Sequence, residues 1–156
     1  MSYSLLIKEK IERFFETDDW HYTFNEEKGF FKAGVNLKGK IAETQLIIRL
    51  YKDHYIVYAN IALRADEECR ARVADYLTRA NYGLKWGNFE LDMRDGEIRY
   101  KCLVDCGDDN DCLPSPSVIK NSIYLPPQMI RKYGDGLLAV MCGFKTPEEA
   151  VKEAES

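Results

Sequence analysis

The sequence predicts an α+β fold, a twisted antiparallel sheet flanked by helices, in the order helix, four strands, helix, two strands, helices. Two patterns point to it. Apolar residues recur at helical spacing at both ends of the chain and once in between, and three other stretches alternate apolar with polar residues around short turn-forming centres. The strands come as neighbouring hairpins instead of alternating singly with helices, which predicts antiparallel pairing. No fixed repeat and no linker between two cores interrupts residues 1–156, so one domain is expected.

From Tyr3 to Phe15 the apolar residues Tyr3, Leu6, Ile7, Ile11, Phe14 and Phe15 fall on one helical stripe. Glu9 with Arg13 and Lys8 with Glu12 form opposite-charge pairs at i,i+4 on the solvated side. Period two begins at Trp20, Tyr22 and Phe24, turns at Glu26 to Gly29 and returns through Phe31, Ala33, Val35 and Leu37. A second hairpin places Leu46, Ile48 and Leu50 on one strand and Tyr55, Val57, Ala59, Ile61 and Leu63 on the next, joined across Lys52 and Asp53.

Asp66 is placed to cap a helix whose inner stripe is Cys69, Val73, Leu77, Ala80 and Leu84, with Glu68–Arg72 and Asp75–Arg79 as surface pairs and Gly83 at its end. A third hairpin spans Phe89 to Val104 around Asp95-Gly96, a dipeptide suited to a two-residue turn. That turn would set Arg94 opposite Glu97, Asp92 opposite Arg99 and Glu90 opposite Lys101 on a solvated face, with Met93, Leu91 and Phe89 turned to the core. Gly107 to Ser117 is an acidic and then Pro/Ser-rich connector. A helical stripe of Ile130, Tyr133, Leu137, Val140 and Met141 follows, where Gly134 and Gly136 predict a kink or break. Gly143-Phe144 has the form of a Schellman ending, and Thr146, Pro147 and Glu149 provide the cap, N1 proline and N3 glutamate of a last helix.

Composition narrows the functional classes. With 46% hydrophobic and 31% charged residues the chain is expected to fold around an ordered core. A formal net charge of -4 repels phosphate backbones and anionic lipid, so neither nucleic acid nor membrane is expected as a partner. No signal peptide or apolar run of membrane-spanning length is present, and a cytoplasmic location follows as an expectation. The odd set Cys69, Cys102, Cys106, Cys112 and Cys142 predicts reduced thiols.

Cys102, Cys106 and Cys112 cluster beside Asp105, Asp108, Asp109 and Asp111, but their spacing matches neither a zinc knuckle nor a calcium loop. His21 and His54 are placed on exposed strand faces, no elbow motif surrounds a serine, and the glycines near Lys38 to Lys40 and Gly134 to Gly136 match no phosphate loop. Neither catalytic residues, metal nor cofactor are therefore expected, and a partner-binding module is expected in place of an enzyme.

One surface stands out. The second hairpin's register sets Tyr51 opposite His54, Arg49 opposite Ile56, Ile47 opposite Tyr58 and Gln45 opposite Asn60, all on the face away from Leu46, Ile48 and Leu50. Ile47, Arg49, Tyr51, Ile56 and Tyr58 are thus the candidate partner-binding residues, unless the protein's own helices cover them.

The helix Asp66 to Tyr82, the run Asn81-Tyr82-Gly83-Leu84-Lys85-Trp86-Gly87-Asn88-Phe89-Glu90-Leu91-Asp92, the return Asp95 to Tyr100 and the ending Thr146-Pro147-Glu148-Glu149-Ala150 resemble the YbjN family. The resemblance implies a bacterial protein with a fold like that of type III secretion chaperones, usually dimeric, in a family loosely labelled as sensory transduction regulators. It brings no catalytic residues. The expected role is a homodimeric, chaperone-like or regulatory protein-binding module working through a sheet face or edge. The alternative is a small-molecule sensor whose ligand sits between the sheet and the C-terminal helices, where Gly134 and Gly136 allow movement.

Overall fold

The computed structural model describes residues 2–107 and 113–156. The acidic run 108–112, with Cys112, lies outside the described residues.

Helix α1 spans Leu5–Thr17, with the Ser4 hydroxyl accepting the Ile7 N–H at 3.3 Å as its N-cap. It buries Ile7, Ile11 and Phe15, whereas Leu6, expected on the inner stripe, is exposed. Phe15 stacks on Tyr22 at 4.8 Å and meets the Phe31 ring at 5.6 Å, which fixes α1 over the start of the sheet.

Strands β1 (Tyr22–Asn25), β2 (Phe30–Asn36), β3 (Glu43–Leu50), β4 (His54–Arg64), β5 (Asn88–Leu91) and β6 (Glu97–Asp105) form one six-stranded sheet in the order β1-β2-β3-β4-β6-β5. Every neighbouring pair is antiparallel. The β3–β4 register is the expected one: Gln45, Ile47 and Arg49 stand opposite Asn60, Tyr58 and Ile56.

The third hairpin departs from its expectation. Glu90 pairs with Arg99 and Phe89 with Tyr100, a shift of two residues, and the turn is longer than two residues. Asp92 donates its N–H to the Glu97 carbonyl at 2.9 Å, and Gly96 donates back to Asp92 at 2.8 Å. A contact beyond the hairpin selects this turn. Ala65 donates its N–H to the Gly96 carbonyl at 2.9 Å, and any Cβ on Gly96, at φ 78°, would overlap the Ala65 backbone. Because the shift is even, side chains keep their faces, but Met93 lies in the turn and is 55% exposed instead of entering the core.

Helix α2 (Glu67–Asn81) follows Asp66, which occupies the N-cap position in extended conformation without a side-chain cap bond. It buries Cys69, Val73, Tyr76, Leu77 and Ala80. Asp75 and Arg79 pair at 2.7 Å. Arg72 does not bind the Glu68 carboxylate; it reaches the Val140 and Met141 carbonyls, each at 2.8 Å, where a cation complements the free acceptors of a helix end.

Helix α3 (Pro116–Met141) takes the last two residues of the expected connector into its first turn, capped by Ser115, and runs through Gly134 and Gly136 without a break. The glycines serve close packing. A Cβ at Gly134 would crowd Ile41, and one at Gly136 would meet the Tyr76 hydroxyl at 2.5 Å, itself donating to the Tyr133 carbonyl at 2.7 Å. The Phe144 N–H reaches the Ala139 carbonyl at 2.8 Å and Gly143 reaches Val140 at 3.1 Å, completing the Schellman ending. Helix α4 (Pro147–Glu155) then starts with the expected capping box of Thr146 and Glu149.

The helices that touch the sheet lie on one face. Leu46, Ile48, Tyr55, Val57, Ala59, Ile98, Tyr100 and Cys102 form that buried face, α1 joins it through Phe15, α3 through a 2.8 Å hydrogen bond between Ser122 and Tyr55, and α2 and α3 hold α4. Among the described residues no helix is long and apolar enough to cross a membrane.

Candidate partner-binding face

The opposite face is built by the registers of five strand pairs. One row across it reads Asn25, Phe30, Arg49, Ile56, Leu103; the next reads Thr23, Lys32, Ile47, Tyr58, Lys101, Asn88; a third reads Gly34, Gln45, Asn60, Arg99, Glu90. Phe30, Ile47, Ile56 and Tyr58 are half-buried and Leu103 is 49% exposed, so a continuous apolar strip crosses the middle of the sheet. None of the described helices packs on it. Of the five expected residues, four belong to this central field, and Tyr51 lies at its margin, stacked on His54 at 4.3 Å.

Cations frame the strip. The Arg49 guanidinium sits 5.8 Å from the Phe30 ring centre and that of Arg99 sits 4.3 Å from Tyr58. Glu90 accepts from Arg99 at 2.7 Å and from Lys101 at 2.6 Å. Burial raises the Glu90 pKa, but the Lys101 and Arg99 hydrogen bonds outweigh it and hold the carboxyl below its ordinary value. Burial alone would lower the Arg99 pKa, and the Glu90 hydrogen bond reverses that. At the margin, His54 Nδ1 lies 2.7 Å from Asp53 Oδ1, a contact that keeps the Asp53 carboxyl below its ordinary value. His54 begins β4 and is half-buried, and His21 is exposed just ahead of β1.

Phe30 and Leu103 were not among the expected residues. Phe30 follows from extending the alternation of β2 across to Arg49. Leu103 has no local signal, because it reaches Ile56 only through the β4–β6 pairing, and α2 and β5 lie between those strands in the chain.

Among the described residues no group of three His, Cys, Asp or Glu is placed to hold a metal ion. Burial pushes the Cys102 and Cys106 thiols up to about 11, which keeps both protonated at neutral pH.

No family model matches the chain, and no curated protein matches it. Among solved structures, the crystal structure of YbjN from E. coli, provisionally described as a transcription regulator, superposes with a TM-score of 0.59 at 12% identity, over 90% of this chain and 95% of that one. The chain has a YbjN-like fold.

Contacts made by the run Asn81 to Asp92 help close this fold. In the turn between α2 and β5, the Asn81 side chain accepts the Phe89 N–H at 2.7 Å and donates to the Phe89 carbonyl at 3.0 Å, so it stands in for a missing edge partner. Gly87, at φ 81°, lets the backbone approach Tyr100, whose hydroxyl donates to the Trp86 carbonyl at 2.6 Å. These contacts fix the turn between α2 and β5, and the same run places Asn88 and Glu90 on the open face.

Proposed function

We propose that the protein is a non-enzymatic binding module, regulatory or chaperone-like, that dimerises by packing the open sheet face against a second copy of itself. The observation that carries this reading is the apolar strip Phe30, Ile47, Ile56, Tyr58 and Leu103, left without a helix over it. Two such faces stack as the halves of a sandwich do, with their strips interleaved about 10 Å apart. Within each copy Glu90 pairs with both Arg99 and Lys101 and offsets one of their two charges. The provisional label of the E. coli YbjN protein is compatible with a regulatory role.

Light scattering over a concentration series tests it. The wild type is expected as a dimer, and the Ile56→Asp, Leu103→Asp double variant as a monomer with an unchanged circular dichroism spectrum. A wild type that stays monomeric at every concentration sinks the dimer.

The sensor alternative finds its room elsewhere than expected. Ile41 fills the space beside Gly134, Ser122 bonds Tyr55, and the ring of Tyr133 packs on Phe89 at 5.5 Å, so the sheet and α3 meet directly. A cleft of about 500 Å³ opens instead between α3, α4 and the β2–β3 loop, lined by Lys40, Lys132, Asp135, Phe144, Lys145 and Glu153, among others. A thermal shift with a metabolite panel, abolished by Lys132→Glu, would favour this reading.

A further inference from the structure

A second feature lies along the outer edge of β2, beside the margin of the open face. Leu37 donates its N–H to Ala42 at 2.7 Å and Leu50 donates to Gly29 at 2.9 Å. Antiparallel alternation therefore directs the backbone groups of residues 29, 31, 33, 35 and 37 to β3, and those of 30, 32, 34 and 36 away from it. Phe30 and Lys32 have Asn25 and Thr23 of β1 opposite them. Gly34 and Asn36 have no strand residue opposite them, because β1 starts at Tyr22 opposite Ala33, and Asp19, at φ 56°, bends the chain ahead of it. Among the described residues, no backbone hydrogen bond joins residues 18–21 to Gly34 or Asn36.

The gap is a groove. On its outer side, Asp18, Asp19, Trp20, His21, Gly34 and Asn36 border a space of about 380 Å³. On the helix side lies a smaller hollow of about 200 Å³, walled by Trp20, Val35, Leu37, Tyr124 and Pro127. Lys38 and Arg131 stand at that hollow, and neither makes a salt bridge among the described residues. The Asp18 carboxylate is engaged by the Tyr124 hydroxyl at 2.6 Å, which holds Tyr124 upright beside Trp20.

We infer that this edge accepts a short extended segment of a partner protein as an added antiparallel strand, with an apolar side chain in the hollow and a carboxylate against Lys38 and Arg131. The added backbone bonds Gly34 and Asn36. Its residue opposite Val35 points to the helix side and fills the hollow beside Trp20 and Tyr124. Two positions earlier in the partner's chain, the residue opposite Leu37 points the same way and reaches the two cations. The recognised pattern is an acidic residue, any residue, then an apolar one. The edge is independent of the open face, so either surface can fail alone.

The probe is the end-blocked peptide Thr-Thr-Glu-Thr-Leu-Thr-Thr, titrated into the 15N-labelled full chain. Chemical-shift changes are expected at the Gly34 and Asn36 amides, with slowed amide exchange at both. Arg131→Glu, and separately a peptide with Lys in place of Glu, should each weaken binding about tenfold, whereas Ile56→Asp should leave it unchanged. Asn36→Pro removes an outward N–H without touching the β3 ladder and should also weaken binding. If that variant does not fold, Lys38→Glu takes its place. Absence of shifts at Gly34 and Asn36 up to about 1 mM peptide, or equal binding by the Arg131→Glu chain, overturns the proposal.

Discussion

On the covered face of the sheet Phe31, Leu46, Tyr55 and Tyr100 are wholly buried, while on the other face Phe30, Ile47, Ile56 and Tyr58 stay partly exposed and Leu103 is 49% exposed. Both sets arise from one alternation along the same strands, so pattern alone does not distinguish them. The difference lies in how polar atoms are satisfied. The two wholly buried tyrosines of the covered side's strands have dedicated partners: Tyr55 bonds Ser122 and Tyr100 bonds the Trp86 carbonyl, and burial pushes the Tyr100 hydroxyl up to about 12. On the open side long cations lie over rings, Arg99 over Tyr58 and Arg49 over Phe30, and among the described residues the buried Asn60 Oδ1 has no partner. The interior side is committed to one set of neighbours, and on the other side none of the described helices packs.

The sharpest way to break this contrast is to truncate the same side chain on the two faces. Phe31→Ala, which empties a site in contact with Phe15, Tyr22 and Phe24, should cost about 3–5 kcal/mol in urea unfolding, whereas Phe30→Ala in a monomeric background should cost about 1 kcal/mol or less. Equal losses would show that the open face is already packed.

A smaller effect is expected at the third turn, which the covered side reaches through Ala65. Gly96→Ala combines a left-handed φ with overlap on the Ala65 backbone and should cost about 1–3 kcal/mol, while Gly34→Ala, which meets nothing within 4 Å, should be nearly neutral. Similar melting points for the two variants would refute the tight contact.

The smallest effect belongs to the ion cluster of the open face. Folding lowers the Glu90 pKa, so its contribution is complete above the unfolded value of about 4.3 and fades as pH falls through the lower folded value. Glu90→Gln should therefore cost about 1 kcal/mol or less at pH 7, and the gap to wild type should close in acid. A gap that persists in acid would assign the loss to packing.

Most local features were legible in the residues. The caps at Thr146 and Gly143, the β3–β4 register across Lys52-Asp53 and the inner stripe of α2 each depend on neighbours a few positions apart, where chain entropy allows few alternatives. The candidate face was also legible as an alternation, through Ile47, Arg49, Ile56 and Tyr58.

What misled the reading had a distant cause in each case. Asp95-Gly96 favours a two-residue turn by itself, but Ala65 holds Gly96 in a longer one. Gly134 and Gly136 weaken an isolated helix, but Ile41 and Tyr76 need the space a side chain would take, and α3 stays whole. Leu103 entered the face through a pairing that no neighbouring residue announces.

By itself the sequence determined which segments form helices and strands and which way each side chain alternates, because these follow from backbone geometry and local burial. The tertiary structure alone decided that the helices gather on one side, that β6 lies beside β4, and that β1 stops before Gly34. Those outcomes depend on contacts between segments far apart in the chain, whose balance of burial and entropy no single segment contains.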